Sequence, residues 1–279
     1  MSTLAPRSAV TTVDGSVDAL GVRDLTVRFG HGRATRTALN GVSLRVRQGC
    51  TVGLVGESGS GKSTLAKVIV GLVGADAGTV EIDGLDVSTL SRSGRREMRR
   101  RVQMIPQDPY SSLDPRRTIG QAMAEAIDPR GGRVAVNRDR IVEWLEMVRL
   151  PADAISRYPH EFSGGQRQRI AIARALVVEP DIVIADEITS ALDVSVQAEI
   201  LDLVGRLREQ LQLSLLFISH NLAVVRHVSD DVVVLYRGDV VETSPAERLF
   251  RDPQHPYTAA LLSAVPGSPG FSIDAADDS

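Results

Sequence analysis

The chain is short of cysteine, of aromatic residues and of long apolar runs. Its single cysteine, Cys50, cannot form an internal disulfide, so we expect a reducing compartment. Aromatic residues make up only 4% of the chain, and none lies in its most arginine-rich stretch, where a nucleic-acid surface would need them. No apolar run reaches the roughly 18 residues of a membrane-spanning helix, so we expect any membrane role to come through a partner.

Charge of one sign is also lacking. The 32 Lys and Arg residues nearly balance the 35 Asp and Glu residues, which argues against nucleic acid as the main partner. The one arginine-rich stretch, Ser91 to Arg101, is predicted to be the solvated face of a helix, since it carries no interleaved aromatic residues. Residues 1–19 and 267–279 are small and polar, and we expect them to be disordered tails.

The stretch from Gly56 to Thr64 matches the P-loop pattern G-x-x-x-x-G-K-[ST]. The apolar run Thr51 to Val55 predicts the strand before it, and Leu65 to Val70 predicts the helix after it. A plain glycine-rich turn would lack this context. Backbone N–H groups and a helix N-terminus suit a triphosphate. The predicted nucleotide-binding residues are Gly56, Glu57, Ser58, Gly59, Ser60, Gly61, Lys62, Ser63 and Thr64.

Two further stretches could take part in nucleotide chemistry, and each also has a purely structural interpretation. The buried-strand pattern Ile182 to Ala185 ends in Asp186 and Glu187. In a P-loop protein the first acid can hold Mg²⁺ and the second can polarise a water, although a strand-end acidic turn is common. Ser163 to Gln166 forms a capping box, and its glycines at a helix N-terminus would also bind an anion. Both interpretations of this second stretch can hold together.

The segment Glu161 to Arg169 reads Glu-Phe-Ser-Gly-Gly-Gln-Arg-Gln-Arg. It matches the signature motif of the ATP-binding cassette (ABC) family, and from Leu20 to Pro266 the chain resembles the ATP-binding subunit of an ABC transporter. Its other landmarks follow in the family's order, namely the adenine-stacking Phe29, the Q-loop Gln107, the D-loop 190–193 and the switch His220. The resemblance implies an α/β P-loop NTPase fold, with a mixed RecA-like core sheet, an antiparallel β sub-domain and an inserted α-helical sub-domain.

The residues themselves indicate where the helical block lies. A capping box at Thr118 predicts the start of one helix. Asn137 is predicted to cap the next helix, whose apolar face contains Trp144. These helices lie within a helical block of about residues 108–178. Residues 107–116, 158–161 and 255–266 resemble the oligopeptide/dipeptide/nickel branch of the importers, whose C-terminal element would span about 245–266. The chain departs from the family's usual residues at three positions, Pro106, Phe162 and Ile188.

The resemblance also implies a mechanism. Two subunits pair head to tail, and each ATP lies between the P-loop of one subunit and the signature of the other. Glu187 is the expected general base, assisted by His220 and Gln107. Mg²⁺ is expected at Ser63, Gln107 and Asp186. Ser163, Gly164 and Gly165 are expected to act on the partner's nucleotide. Gln166 and Asp193 are further expected nucleotide-binding residues.

The implied partners are transmembrane permease subunits, a second ATP-binding subunit that is identical or paralogous, and indirectly an extracytoplasmic solute-binding protein. The expected location is the cytoplasmic face of the cell membrane, and the expected cargo is a peptide or a small solute such as nickel. Two alternatives stay open at this point. One is a non-transport ABC ATPase of the DNA-repair or translation-factor type, and the other is a regulatory module that binds ATP without hydrolysing it.

Overall fold

The computed structural model describes residues 18–30, 35–190 and 192–264, without the side chains of Tyr110 and Ser111. The described residues form ten strands in two sheets. The strands are β1 Asp18–Phe29, β2 Arg36–Arg47, β3 Thr51–Val55, β4 Ala77–Ile82, β5 Leu85–Asp86, β6 Val102–Ile105, β7 Ile182–Asp186, β8 Ser214–Ile218, β9 Asp231–Tyr236 and β10 Asp239–Pro245. The first strand thus begins two residues inside the predicted N-terminal tail, and the predicted C-terminal tail lies outside the described residues.

The same residues form ten helices and three short 3₁₀ turns, the turns at Val87–Thr89, Ala152–Ser156 and Pro159–Glu161. The helices are α1 Lys62–Ile69, α2 Arg92–Arg101, α3 Pro109–Ser112, α4 Ile119–Ile127, α5 Val134–Met147, α6 Gly164–Leu176, α7 Val194–Leu211, α8 Leu222–Val228, α9 Ala246–Arg251 and α10 Pro256–Ser263. In the described ranges, none of the helices has the length and apolarity that crossing a bilayer requires.

The larger sheet is mixed, in the order β10-β9-β3-β8-β7-β6. Its strands run parallel from β9 to β6, and only β10 is antiparallel. Every residue of β3, β7 and β8 is buried, as continuous apolar runs with both faces covered predict. Because parallel strands end at the same edge, the segments that follow β3, β7 and β8 meet there. That edge carries the candidate site.

The smaller sheet is antiparallel, in the order β2-β1-β4-β5. Its apolar residues pack with one face of the larger sheet and with α1 in one buried cluster. The other face of the larger sheet packs against the helices α4 to α7 in a second cluster, which contains Trp144 at 4% exposure. The P-loop strand contributes to both clusters, through Leu54 and Val55 respectively.

Local signals in the helical block were partly right. Thr118 forms the predicted capping box with Gln121 at the start of α4. The prediction that Asn137 caps the next helix was wrong, since α5 begins at Val134 with Arg133 at its N-cap. Asn137 lies within the first turn, where its Nδ2 donates a hydrogen bond to the Arg133 carbonyl, 3.0 Å away. A side chain that bonds a carbonyl one turn earlier no longer marks a helix start. The short helix α3 was not among the predicted elements.

Candidate nucleotide site

The P-loop follows β3 directly and ends as α1 begins at Lys62. Its first residue, Gly56, has φ +150°, and a Cβ there would lie 2.1 Å from the Leu235 carbonyl oxygen of β9. Gly61, the residue before α1, has φ +114°. Both positions therefore require glycine, because a side chain would meet the neighbouring strand or strain the backbone. The loop is shaped by its contact with the sheet as well as by its own sequence.

Lys62 lies inside the ring that the loop forms. Its Nζ donates hydrogen bonds to the Gly56 carbonyl at 2.7 Å and to the Glu57 carbonyl at 2.8 Å. Burial lowers the pKa of Lys62, and the carboxylates of Glu187, Asp186 and Glu57 oppose that shift. Among the described residues this buried cation has two acceptors, both neutral carbonyls, so it can gain further from an anion. This geometry suits an outer phosphate of a nucleotide.

Asp186 and Ser63 meet beside the loop. The Ser63 hydroxyl donates to Asp186 Oδ1 over 3.4 Å, and Asp186 is 4% exposed at the end of β7. Burial raises the pKa of Asp186, and the hydrogen bond from Ser63 acts against it. Adjacent oxygen ligands of octahedral Mg²⁺ are about 3 Å apart, so these two oxygens fit neighbouring positions on that ion. The described residues hold no cluster of three or more His, Cys, Asp or Glu that could bind a metal ion by itself.

Glu187 brings three segments together. Its Oε2 accepts a hydrogen bond from Gln107 Nε2 at 3.1 Å and lies 3.3 Å from His220 Nδ1. Gln107 also approaches the Ser190 hydroxyl, at 3.4 Å. Gln107 follows β6, Glu187 follows β7 and His220 follows β8. The three side chains lie close together because these parallel strands end at the same edge of the sheet.

The backbone of Glu187 is unusual. It has φ +48°, a left-handed conformation that is uncommon outside glycine, and its N–H donates to the Ile218 carbonyl at 2.9 Å. The β7–β8 contact thus holds the residue in a strained conformation, a feature that concentrates at functional sites. No local pattern in the sequence predicts this conformation at Glu187.

A cleft of about 760 Å³ opens over the P-loop and extends to Phe29, which is 46% exposed. The predicted residues that line it are Phe29, Ser58, Gly59, Gly61, Lys62, Ser63, Thr64, Gln107 and Glu187. Four further lining residues were not predicted, namely Arg36, Thr37, Ala38 and Arg237. The first three begin β2. Arg237 lies in the β9–β10 turn, whose Gly238 N–H donates to the Ser60 carbonyl at 2.9 Å. Only the tertiary fold brings these residues to the loop.

The signature segment lies at a different helix start. Ser163 caps α6, where its hydroxyl accepts from Gln166 N–H at 3.3 Å and Gln166 Oε1 accepts from Ser163 N–H at 2.9 Å. The capping box is therefore confirmed. Ser163, Gly164, Gly165 and Gln166 are not among the described residues that line the P-loop cleft. The side chains of Ser163 and Gln166 are exposed.

Asp193 starts the neighbouring helix α7. Its Oδ1 accepts from the Val196 N–H at 2.9 Å, and this hydrogen bond holds the pKa of Asp193 below its ordinary value. A Cβ on Gly165 would lie 2.6 Å from a Val196 methyl, so the two helix starts pack closely. Asp193 and the signature thus share one exposed surface, apart from the P-loop cleft.

Comparison with protein families identifies two matching regions. Residues 39–190 match the model described as ABC transporter, and residues 241–270 match the model described as oligopeptide/dipeptide transporter, C-terminal region. Among curated proteins, a Brucella ovis protein named for ATP binding in peptide import is 51% identical over 248 residues, which is 88% of this chain and 78% of that protein. A Brucella abortus protein named in the same way is 47% identical over 270 residues, 94% and 81% of the two chains.

Solved structures show the same fold. The cbiO1 protein of Clostridium perfringens, described as part of the ABC transporter complex cbiONQ, matches with a TM-score of 0.74 and 26% identity over 84% of this chain and 91% of that chain. The ATP-binding cassette MJ0796, in a dimeric post-hydrolysis state bound to ADP and phosphate, matches with a TM-score of 0.72 and 30% identity. That match covers 81% of this chain and 98% of the cassette.

Proposed function

This chain belongs to the ABC transporter family, and on that basis we propose that it is the ATP-binding, ATP-hydrolysing subunit of a multi-subunit peptide importer. One observation supports the proposal that the chain hydrolyses ATP. The P-loop with Lys62 faces the same cleft as Glu187, whose carboxylate contacts both Gln107 and His220. A regulatory module that only stores ATP would have no need of this carboxylate beside the phosphate cradle.

The proposed binding mode follows the cleft. The adenine stacks on Phe29, and the loop amides with Lys62 hold the phosphates. Ser63 and Asp186 hold Mg²⁺, with Gln107 as a further oxygen ligand; the ion would neutralise phosphate charge during transfer. Arg36 and Arg237 add positive charge to the wall of the cleft.

The proposed reaction is attack of water on the γ-phosphate, which breaks the bond between the γ-phosphorus and the bridging β–γ oxygen and releases ADP and phosphate. Glu187 accepts a proton from that water, and His220 orients Glu187 and contacts the γ-phosphate. Ser163, Gly164, Gly165, Gln166 and Asp193 act on the nucleotide of a second ATP-binding subunit, which agrees with their position away from this chain's cleft. A second helix N-terminus would close the open side of the γ-phosphate and exclude water from it. The dimeric ADP-bound relative supports this arrangement.

A second cleft is proposed to receive the permease. It measures about 720 Å³ and lies between α2 and β6 on one side and α4 and α6 on the other. The predicted solvated helix α2 contributes four arginines to it, Arg92, Arg96, Arg99 and Arg100. Pro106, next to Gln107, also lines the cleft, so the site can transmit the state of the nucleotide to a docked membrane segment. The four cations favour a partner segment with acidic side chains.

The cargo proposal rests on the C-terminal match and on relatives named for peptide import. The chain would lie at the cytoplasmic face of the cell membrane, held by permease subunits. An extracytoplasmic solute-binding protein would deliver the peptide. ATPase assays on the chain with and without its co-purified permease test this function. Hydrolysis that depends on Mg²⁺ and is stimulated by the assembled transporter supports it, whereas binding without any hydrolysis contradicts it.

We expect Asp186→Asn to raise the melting temperature of the nucleotide-free chain by a few degrees and to abolish the extra stabilisation that Mg²⁺ adds to ATP. Burial raises the pKa of Asp186, so the Asp186 carboxyl group binds its proton more tightly in the folded chain than in the unfolded chain. The cost of the buried charge is therefore present at neutral pH and is lost as the pH falls through the raised pKa. Scanning fluorimetry with ATP plus EDTA and with ATP plus Mg²⁺ measures both effects.

Asp181→Asn is the matched control, because Asp181 is exposed just before β7 and pairs with Arg101 instead. This variant should keep the full Mg²⁺-dependent shift. If Asp186→Asn also kept it, the proposed role of Asp186 at the metal would be wrong.

We expect the chain to sediment with membranes only when its permease is co-expressed. Arg96→Glu should weaken this association about tenfold or more, because it reverses a charge in the proposed docking cleft. Arg95→Glu is the control, since Arg95 is exposed on the same helix but does not line the cleft. Membrane fractionation and pull-down with a tagged permease measure the effect. Strong binding to protein-free liposomes would contradict the proposal.

A further inference from the structure

The C-terminal helix α10 is preceded by a turn that β10 holds in place. Both carboxylate oxygens of Glu242 accept backbone hydrogen bonds, from Gln254 N–H and from His255 N–H, each at 3.0 Å. The Nδ1 of His255 then accepts from the Tyr257 N–H at 3.1 Å and caps α10. These three bonds fix the position of Tyr257 relative to the hairpin of β9 and β10.

The side chain of Tyr257 reaches from this turn to the P-loop. Its ring packs on Tyr236 of β9, with the ring centroids 4.2 Å apart. Its hydroxyl oxygen accepts a hydrogen bond from the Glu57 N–H at 3.1 Å. Burial raises the pKa of Tyr257, so the phenol stays protonated at neutral pH. A residue 200 positions away in the sequence thus contacts the phosphate-binding loop.

The Glu57 N–H that bonds Tyr257 belongs to the same peptide group as the Gly56 carbonyl, which accepts a hydrogen bond from Lys62. The Glu57 nitrogen and the Gly56 carbonyl are the two ends of one planar peptide group, and the Gly56 oxygen accepts from Lys62 Nζ at 2.7 Å. One side of this unit is therefore fixed by Tyr257, and the other side fixes the lysine. Glu57 is not among the described residues that line the cleft, and its N–H makes this outer contact with Tyr257.

We propose that Tyr257 is a positioning residue for nucleotide binding, which orients the Gly56–Glu57 peptide and through it Lys62. The inference rests on the proposed function, because it assigns the C-terminal element a role at the ATP site. Tyr257 touches none of the reacting atoms. Its loss leaves the Glu57 N–H without its partner and lets the peptide unit rotate, so the lysine is no longer held ready for a phosphate. Affinity for the nucleotide should fall, while turnover at saturation stays unchanged.

The test compares Tyr257→Phe with Tyr236→Phe in the full chain. Both substitutions remove one hydroxyl from the same ring pair and keep the contact between the rings. In the described part of the chain, Tyr236 makes no hydrogen bond to the loop, so Tyr236→Phe is a matched control. We expect Tyr257→Phe to raise the Kd and KM for ATP by about two- to tenfold, the effect of one lost neutral hydrogen bond, with kcat unchanged. Tyr236→Phe should leave Kd, KM and kcat at wild-type values.

Hydrogen–deuterium exchange gives a readout that does not depend on activity. The Glu57 amide should exchange faster in Tyr257→Phe without nucleotide and at the wild-type rate in Tyr236→Phe. Equal Kd values in Tyr257→Phe and wild type, equal losses in both variants, or a fall in kcat alone would overturn the inference. A wild-type chain that neither binds nor hydrolyses ATP would instead overturn the proposed function.

Discussion

Glu187→Gln is expected to lower the turnover number for ATP hydrolysis by about 10²- to 10⁴-fold, the usual contribution of a general base, while ATP still binds. Glutamine keeps the size and one oxygen of the side chain, so it can still accept the hydrogen bond from Gln107. It cannot take a proton from water near neutral pH. The variant should therefore accumulate the ATP-bound state. Phosphate release from the assembled transporter and a nucleotide-binding titration measure the two effects separately.

The chain offers a close control in Glu179→Gln. Glu179 lies just before β7 and has a left-handed backbone like that of Glu187, with φ +55° against +48°. Its exposed carboxylate pairs with Arg140, 2.9 Å away, and does not line the nucleotide cleft. Hydrolysis in this variant should stay within about twofold of wild type, since surface ion pairs contribute little. Near-wild-type hydrolysis in Glu187→Gln would rule out Glu187 as the base.

Lys62→Ala is expected to raise the Kd for ATP by about 10- to 150-fold, the range for a lost charged hydrogen bond. The ammonium group is buried within the loop and has only two carbonyl acceptors there. Its removal takes away a cation aimed at the phosphates and also the contacts that close the loop on itself. Calorimetric titration with ATP and with ADP measures the loss.

Lys67→Ala is the corresponding control, because Lys67 is exposed in the last turn of the same helix, one to two turns from the loop. Its removal should change the Kd by less than about twofold. If both alanine variants bound ATP as wild type does, the cleft over the P-loop would not be the nucleotide site.

Local patterns predicted much of this fold. The bounds of β3 match the predicted strand, because an unbroken apolar run between turn residues leaves little choice of register or length. The capping boxes at Thr118 and Ser163 were confirmed for a similar reason, since each depends on residues three apart. The start of α5 was missed because Asn137 offered a cap that the chain uses within the helix.

The site was predictable only where its residues adjoin a motif. Lys62, Asp186 and Glu187 follow strands that can be identified, so the common sheet edge brings them together. Arg36 and Arg237 reach the cleft through the packing of the smaller sheet and of a hairpin turn, which no local pattern encodes. The left-handed backbone of Glu187 and the contact of Tyr257 with the loop are likewise set by tertiary structure.

Peptide uptake by proteoliposomes tests the central claim most directly. The vesicles would contain the permease and the solute-binding protein, with this chain bound on the opposite face and a labelled peptide on the side of the binding protein. We predict that uptake requires ATP and Mg²⁺ with the wild-type chain and is lost with Glu187→Gln, while Glu179→Gln supports it normally. Uptake that continued unchanged with Glu187→Gln, or without ATP, would contradict the account.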